Sequence, residues 1–172
     1  RDSLSASPGL QSAAADGRPI FAVCAGLQVL GHTFRAHGEE AEGVGLLDVT
    51  TTPLSRRATG ELASEPTRAG VTAELSEPLT GFENHMGATV LGPDASALGR
   101  VTRGVGNGDA KVDGVVQGSV IATYMHGPAL ARNPQLADLL IARALDIPLA
   151  ELQPLELDAV TKLREELSLI HI

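Results

Sequence analysis

Arg18-Pro-Ile-Phe-Ala-Val-Cys24-Ala-Gly-Leu-Gln28-Val-Leu-Gly31 is the stretch from which the rest of this 172-residue chain is read. Ile20 to Val23 is a short apolar, β-prone run opened by Pro19, the pattern of a strand buried in a parallel sheet. Gly26 permits a tight turn. Leu27, Val29, Leu30 and Phe34 then share one face of a helix expected over residues 26–37 and ended by Gly38. Cys24, the chain's only cysteine, therefore stands at the corner between strand and helix, projecting from the carboxyl end of the sheet. A helix start offers unpaired N–H groups and the positive end of the dipole, both of which favour a thiolate. This is nucleophile-elbow geometry with cysteine in place of serine. A free cysteine is also among the most buried residue types, so a structural core thiol is the competing reading of the same corner.

A second corner lies about a hundred residues on. Ser119 to Tyr124 is a β-rich run that leads into Met125-His126-Gly127-Pro128, so His126 falls at the carboxyl end of a strand, where open α/β sheets place their sites. The segments between are in α/β order. Leu46–Thr52 is a strand candidate stopped by Pro53, and Arg57–Leu62 is a second. Residues 63–78 hold Gly and Pro breakers and read as a loop. Leu79–Glu83, Ala88–Leu91 and Gly99–Thr102 are short strands, and residues 111–117 and 119–124 form a hairpin about Gly118. Asn133-Pro134 opens a helix with Leu136, Leu139, Leu140 and Ala144 on one face, and residues 154–167 form another amphipathic helix.

Cys24-Ala-Gly26-Leu-Gln28 resembles the Cys-x-Gly-x-Gln nucleophile motif of the class I glutamine amidotransferases. Thr123-Tyr-Met-His126-Gly-Pro128 is similar to the histidine motif of their cobyric-acid-synthase-like branch. Gly81-Phe-Glu-Asn-His85-Met-Gly87, together with Gly104-Val-Gly-Asn107-Gly108, resembles the GatD group, the glutaminase subunits of lipid II isoglutaminyl synthase. The resemblance runs from about Pro19 to the helix near Pro134. It implies an α/β fold of the flavodoxin-like, three-layer kind with a mostly parallel sheet. It also implies roles: Cys24 attacks the side-chain amide of L-glutamine, His126 handles the protons, and the N–H of Ala25 is the first oxyanion donor. Gln28 helps to hold the bound glutamine. Arg57, in a segment where GatD relatives carry a basic residue, clamps its α-carboxylate, with Arg56 a substitute; solvated surface arginines are the alternative.

Two departures from the family pattern follow. Most class I members carry a glutamate two residues after the histidine to orient it; here that position is Pro128. The resemblance implies that an acidic residue from the synthetase partner replaces it, coupling hydrolysis to assembly. Relatives also carry a β-α-β section with a glycine-rich loop before the nucleophile strand, whereas Asp2 to Arg18 is a polar, Ala/Ser/Gly-rich lead. The chain therefore reads as one amidotransferase domain, residues 1–172, truncated at its amino end and lacking the second oxyanion donor. Loss of one such donor costs about 10²–10³ in rate. The tail 167–172 reads as a remnant or as the last turn of a docking helix.

The expected partner is a MurT-like Mur ligase subunit that holds ATP, magnesium and lipid II and amidates D-glutamate; this chain needs no cofactor or metal of its own. The five histidines and single cysteine show no metal-ligand spacing. His85 reads as a loop-ordering residue, His32 and His37 as residues of the elbow helix, and Gly104–Gly108 as a β-turn that lacks the P-loop lysine. Two other functions stay open: the glutaminase domain of a cobyric acid synthase, and a non-catalytic domain in which Cys24 is a redox-sensing thiol. A formal net charge of −8 at pH 7 argues against a general nucleic-acid binder. One cysteine excludes an intrachain disulfide and suits a reducing, cytoplasmic setting. No apolar run is long enough to span a membrane.

Overall fold

The computed structural model describes residues 8–36, 38–155 and 157–169; His37 and the end of the tail, 170–172, lie outside them. Two sheets share one core. The smaller is built on the nucleophile strand, β1 (Ile20–Val23), which runs parallel to β9 (Val120–Thr123) from Ile20↔Val120 to Val23↔Thr123. β8 (Val115–Gln117) closes the other side of β9 as an antiparallel hairpin about Gly118, whose φ of 56° is one that glycine adopts without strain. All four residues of β9 are buried, as expected for the central strand of three.

α1 (Pro8–Ala15) precedes β1, and α2 (Ala25–Leu30) follows it. The elbow helix is thus six residues long and does not reach residue 37. After Leu30 the chain turns at Gly31 and becomes β2 (Thr33–Ala36), which pairs antiparallel with β3 (Glu39–Glu42). Thr33 and Phe34 are β-prone, and strand pairing outweighs the helical periodicity of one aromatic residue. Leu27 and Leu30 still fill the core.

The larger sheet has the order β3-β2-β4-β6-β7, with β5 also paired to β4. β4 (Val49–Pro66) is one 18-residue strand and β5 (Leu79–Leu91) one of 13 residues, where the sequence suggests two short strands each. Pro53 does not stop β4. The register jumps there, from Pro53↔Gly87 to Ala58↔His85, and a bulge is where a strand tolerates a residue without an N–H. β6 (Gly99–Arg103) pairs with the far end of β4, from Ala63 to Pro66, so residues expected in a loop are strand. β7 (Val112–Asp113) then pairs with β6.

Among the described residues three α-helices follow β9: α3 (Ala129–Arg132), α4 (Pro134–Leu145) and α5 (Asp158–Leu169), with a 3-10 turn at Leu149–Glu151 before the last. α4 buries Leu136, Leu139 and Ala142 on one face, and Pro134 occupies its first turn as expected. Among the described residues no helix is long and apolar enough to cross a membrane.

Candidate active site

Cys24 sits at the corner with φ 51° and ψ −106°, in a region that L-residues rarely occupy. Such a conformation persists only where its surroundings over-determine it. Here the Cys24 N–H donates to the Thr123 carbonyl at 2.8 Å, continuing the β1–β9 ladder one step past β1, while the Cys24 carbonyl accepts from Gln28 N–H at 3.3 Å and starts the helix. The thiol is half-buried and free. Burial pushes it above the usual thiol range, and the Ala25 N–H and the Arg57 guanidinium only partly offset the rise. The expected thiolate-favouring effect of the helix start is present, through Ala25, but desolvation is larger. A neighbouring base is therefore needed to activate this cysteine.

The sequence's candidate for that base, His126, follows the partner strand β9. Beyond Thr123 the chain leaves the ladder, and each following N–H finds another acceptor. Tyr124 N–H donates to Asp113 Oδ1 at 3.2 Å, Met125 N–H to Thr123 Oγ1 at 3.0 Å, and His126 N–H to the Phe82 carbonyl at 2.7 Å. Cys24 thus follows the carboxyl end of β1 directly, and His126 comes a few residues past the carboxyl end of its parallel partner β9. His126 Nε2 is buried and has no hydrogen-bond partner among the described residues.

β5 comes close to this segment because of two glycines. A Cβ on Gly81 would lie 2.4 Å from Met125 Cβ, and one on Gly87 would lie 2.4 Å from both Gln28 Nε2 and the Tyr124 hydroxyl. Downstream, Asn133 bonds Thr80 through both its N–H and its carbonyl, and Arg132 pairs with Glu61 at 2.6 Å, so the chain beyond His126 is fastened to β4 and β5.

Gln28 turns inward. Its Nε2 donates to the Tyr124 hydroxyl at 3.2 Å, which meets Thr89 Oγ1 at 2.7 Å, and Thr89 in turn meets Thr51 at 2.9 Å. Burial holds the Tyr124 phenol above its usual range, with Cys24 adding to the rise. The His85 ring stacks on Tyr124 with centroids 3.8 Å apart, so His85 is a buried strand residue and not a loop one. Its Nε2 faces Glu83 at 3.3 Å, and the Glu83 carboxylate accepts from Val105 N–H at 2.7 Å and Gly106 N–H at 2.9 Å. The Gly104–Gly108 turn therefore spends two of its backbone donors on an internal acid.

Arg57 stands on the β4 bulge, exposed, with Nη1 donating to Asn84 Oδ1 at 3.0 Å and its charge felt at the Cys24 sulfur. Arg56 and Arg57 line an open hollow of about 480 Å³ with Arg103, Gly104 and Val105. Of the residues singled out in the sequence, Cys24, Ala25, Gln28, Arg57 and His126 all belong to this one end of the molecule. His32 lies beyond α2 and pairs with Asp48 at 3.0 Å. Tyr124, His85, Glu83, Thr89 and Asp113 escaped the sequence reading as site residues. One signal was available for Tyr124, the chain's only tyrosine, two residues before His126.

A cysteine at a strand-to-helix corner, with a histidine just past the end of the parallel partner strand, fits an amidotransferase domain, and the chain belongs to the CobB/CobQ-like glutamine amidotransferase domain family, whose model matches residues 2–134. It is 34% identical over 94% of its length to lipid II isoglutaminyl synthase (glutamine-hydrolyzing) subunit GatD of Staphylococcus aureus, covering 63% of that protein. With GatD of Streptococcus pneumoniae the identity is 36% over 73% of this chain and 47% of the relative. A cobyric acid synthase of Pelotomaculum thermopropionicum is 40% identical over 69% of this chain but only 24% of that protein. The chain thus spans about half to two thirds of the length of the GatD relatives. Among solved structures, a glutamine amidotransferase shares the fold at TM-score 0.54 and 20% identity, over 78% of this chain and 66% of its own. PurLQS from Thermotoga maritima does so at 0.53 and 19%, over 80% and 65%. The α/β amidotransferase fold implied by the resemblance is therefore the fold of the chain.

Proposed function

We propose that this chain is the glutamine-hydrolysing part of a lipid II isoglutaminyl synthase, supplying ammonia to an ATP-dependent, MurT-like Mur ligase partner. The observation that carries the reading is the Cys24 elbow on β1, which pairs parallel with β9, the strand that leads to His126, in a chain 34% identical over 94% of its length to a GatD subunit. Cys24 Sγ attacks the side-chain amide carbon of glutamine, and its proton passes to His126. The Ala25 N–H, which lies at the sulfur, receives the developing oxyanion. His126 returns the proton to the leaving nitrogen, ammonia departs, and a glutamyl thioester remains. Water activated by His126 then releases glutamate.

Arg57, whose field reaches Cys24, holds the glutamine α-carboxylate. Gln28, tied to Tyr124, steadies the floor under it. ATP, magnesium and the lipid-linked D-glutamate belong to the partner, which also supplies the acid that orients His126 in place of Pro128. The reaction is cytoplasmic, where the partner finds ATP. Ammonia release from glutamine tests this reading, measured with and without a co-purified Mur-ligase-like partner and beside Cys24→Ala. Cys24-dependent release that rises with the partner is the expected result. Full release by Cys24→Ala would end the nucleophile role.

The 40% identity to a cobyric acid synthase supports a second reading, in which the same Cys24 and His126 deliver ammonia to a corrinoid. Stimulation by a corrinoid-binding synthetase instead of the Mur-ligase-like partner would establish it.

A further inference from the structure

Asp113 ends β7 and is fully buried, on a different element from Cys24 and from His126. It nonetheless holds Thr123 and Tyr124, which lead to His126 and, through the Thr123 carbonyl, receive the Cys24 N–H. One carboxylate oxygen accepts from the Thr123 hydroxyl and the other from the Tyr124 N–H. The Thr123 hydroxyl passes the constraint on, accepting from Met125 N–H at 3.0 Å, while the Thr123 carbonyl receives the Cys24 N–H at 2.8 Å. So the elbow backbone and the last step before His126 depend on residues that a single carboxylate fastens. β7 is itself pinned. Asn107 grips Gly114 through both its N–H and its carbonyl, and a Cβ on Gly114 would lie 2.3 Å from the Ala122 carbonyl. A buried carboxylate is costly and is retained only where its acceptors are used.

We infer that Asp113 is a positioning residue, which sets the Cys24 elbow and the His126 segment relative to each other through Thr123 and Tyr124. The inference concerns the same site as the proposed glutaminase but does not require glutamine to be the substrate. Four titratable groups face Asp113 or its partners. Glu83 on β5 raises its carboxyl and His85 on β5 lowers it; Tyr124 follows on its own segment, and Cys24 lies beyond Tyr124. Burial dominates and holds the Asp113 carboxyl up to about 6, so its charge changes within an accessible range.

Because Cys24 is the chain's only cysteine, a thiol reagent reports on this corner alone. The test is the rate of reaction of Cys24 with 2,2′-dipyridyl disulfide across about pH 5 to 9, for the chain and for Asp113→Asn, Thr123→Val and Thr123→Ser, with thermal unfolding alongside. The chain itself should show a step near pH 6, beneath the rise due to the thiol. Asp113→Asn should lose that step and react about tenfold more slowly at neutral pH, the order expected from a small misplacement. Thr123→Val should resemble it, and Thr123→Ser, which keeps the hydroxyl, should restore the original profile. A folded Asp113→Asn that superimposes on the parent would overturn the inference. If Asp113→Asn does not fold, the threonine pair decides: Val and Ser profiles that coincide reject the positioning role. Ammonia release is measured on the same samples. A parent chain with no Cys24-dependent release defeats the glutaminase reading, while the thiol profile still judges Asp113.

Discussion

Cys24 combines an uncommon backbone conformation with a thiol raised by burial, and each property has its own test. At φ 51° a residue without a Cβ is relaxed, so Cys24→Gly should be more stable than Cys24→Ala by about 1 kcal/mol in denaturant unfolding. Equal stability would mean the corner is not strained. The Arg57 guanidinium lowers the thiol, so Arg57→Ala should move its ionisation further up. Absorbance of the thiolate during a pH titration reads this directly, and an unmoved midpoint would show that the charge is not felt at the sulfur. The strand-to-helix corner at Cys24 was legible in the sequence because its neighbours mark it, an apolar strand before and a glycine soon after. Asp113 was not. It is one acid among 21 Asp and Glu, and its role arises from pairings with residues 123 and 124 that only the folded chain creates.

At the level of elements, two close approaches on β5 hold the site together. Gly87→Ala would drive a methyl into Gln28 Nε2 and the Tyr124 hydroxyl, and Gly81→Ala would drive one into Met125. Each should cost about 1–3 kcal/mol in denaturant unfolding, as overpacking does in a filled core. Gly60, whose ideal Cβ meets nothing within 4 Å, makes a control for β4; its φ of 148° adds backbone strain without a clash. Should Gly87→Ala cost no more than Gly60→Ala, the packing of β5 against Tyr124 is looser than described. The hairpin about Gly118 and the helix opened by Pro134 were legible, because turn residues and apolar faces are local signals. The elbow helix was read too long. Phe34 continues its apolar stripe, yet residues 33–36 gain more from pairing with β3. Pro53 was read as a stop because a bulge is invisible until the partner strand is known.

For the molecule as a whole, Asp113 imposes a dependence of stability on pH. In the unfolded chain its carboxyl titrates near about 3.9. Folding raises it to about 6, through burial above all and then the charge of Glu83, against the bonds from Thr123 and Tyr124 and the pull of His85. Between those values the folded chain keeps a proton that the unfolded chain has released. Its contribution to stability is therefore greatest below about pH 4, declines as pH rises through about 6, and is level above that. Asp113→Asn removes this slope. Its stability relative to the parent should improve steadily across the interval in urea melts at successive pH values, then stay constant. Melts that run parallel throughout would mean that Asp113 does not titrate there. The α/β class and the two strands that lead to the corners were legible at this scale, and β1 and β9 pair in parallel. The order of the larger sheet was not, because β4 pairs with β2, β5 and β6 across distances that no local pattern encodes.

The Glu83 carboxylate and the Val105 and Gly106 N–H groups have one more consequence. An acid attached to the same chain competes for those donors at an effective concentration of about millimolar or more, and it never diffuses away. Dissolved phosphate or nucleotide meets a glycine-rich turn whose vacancy has been filled in advance. The turn works as a buckle, fastened to β5 from within the chain.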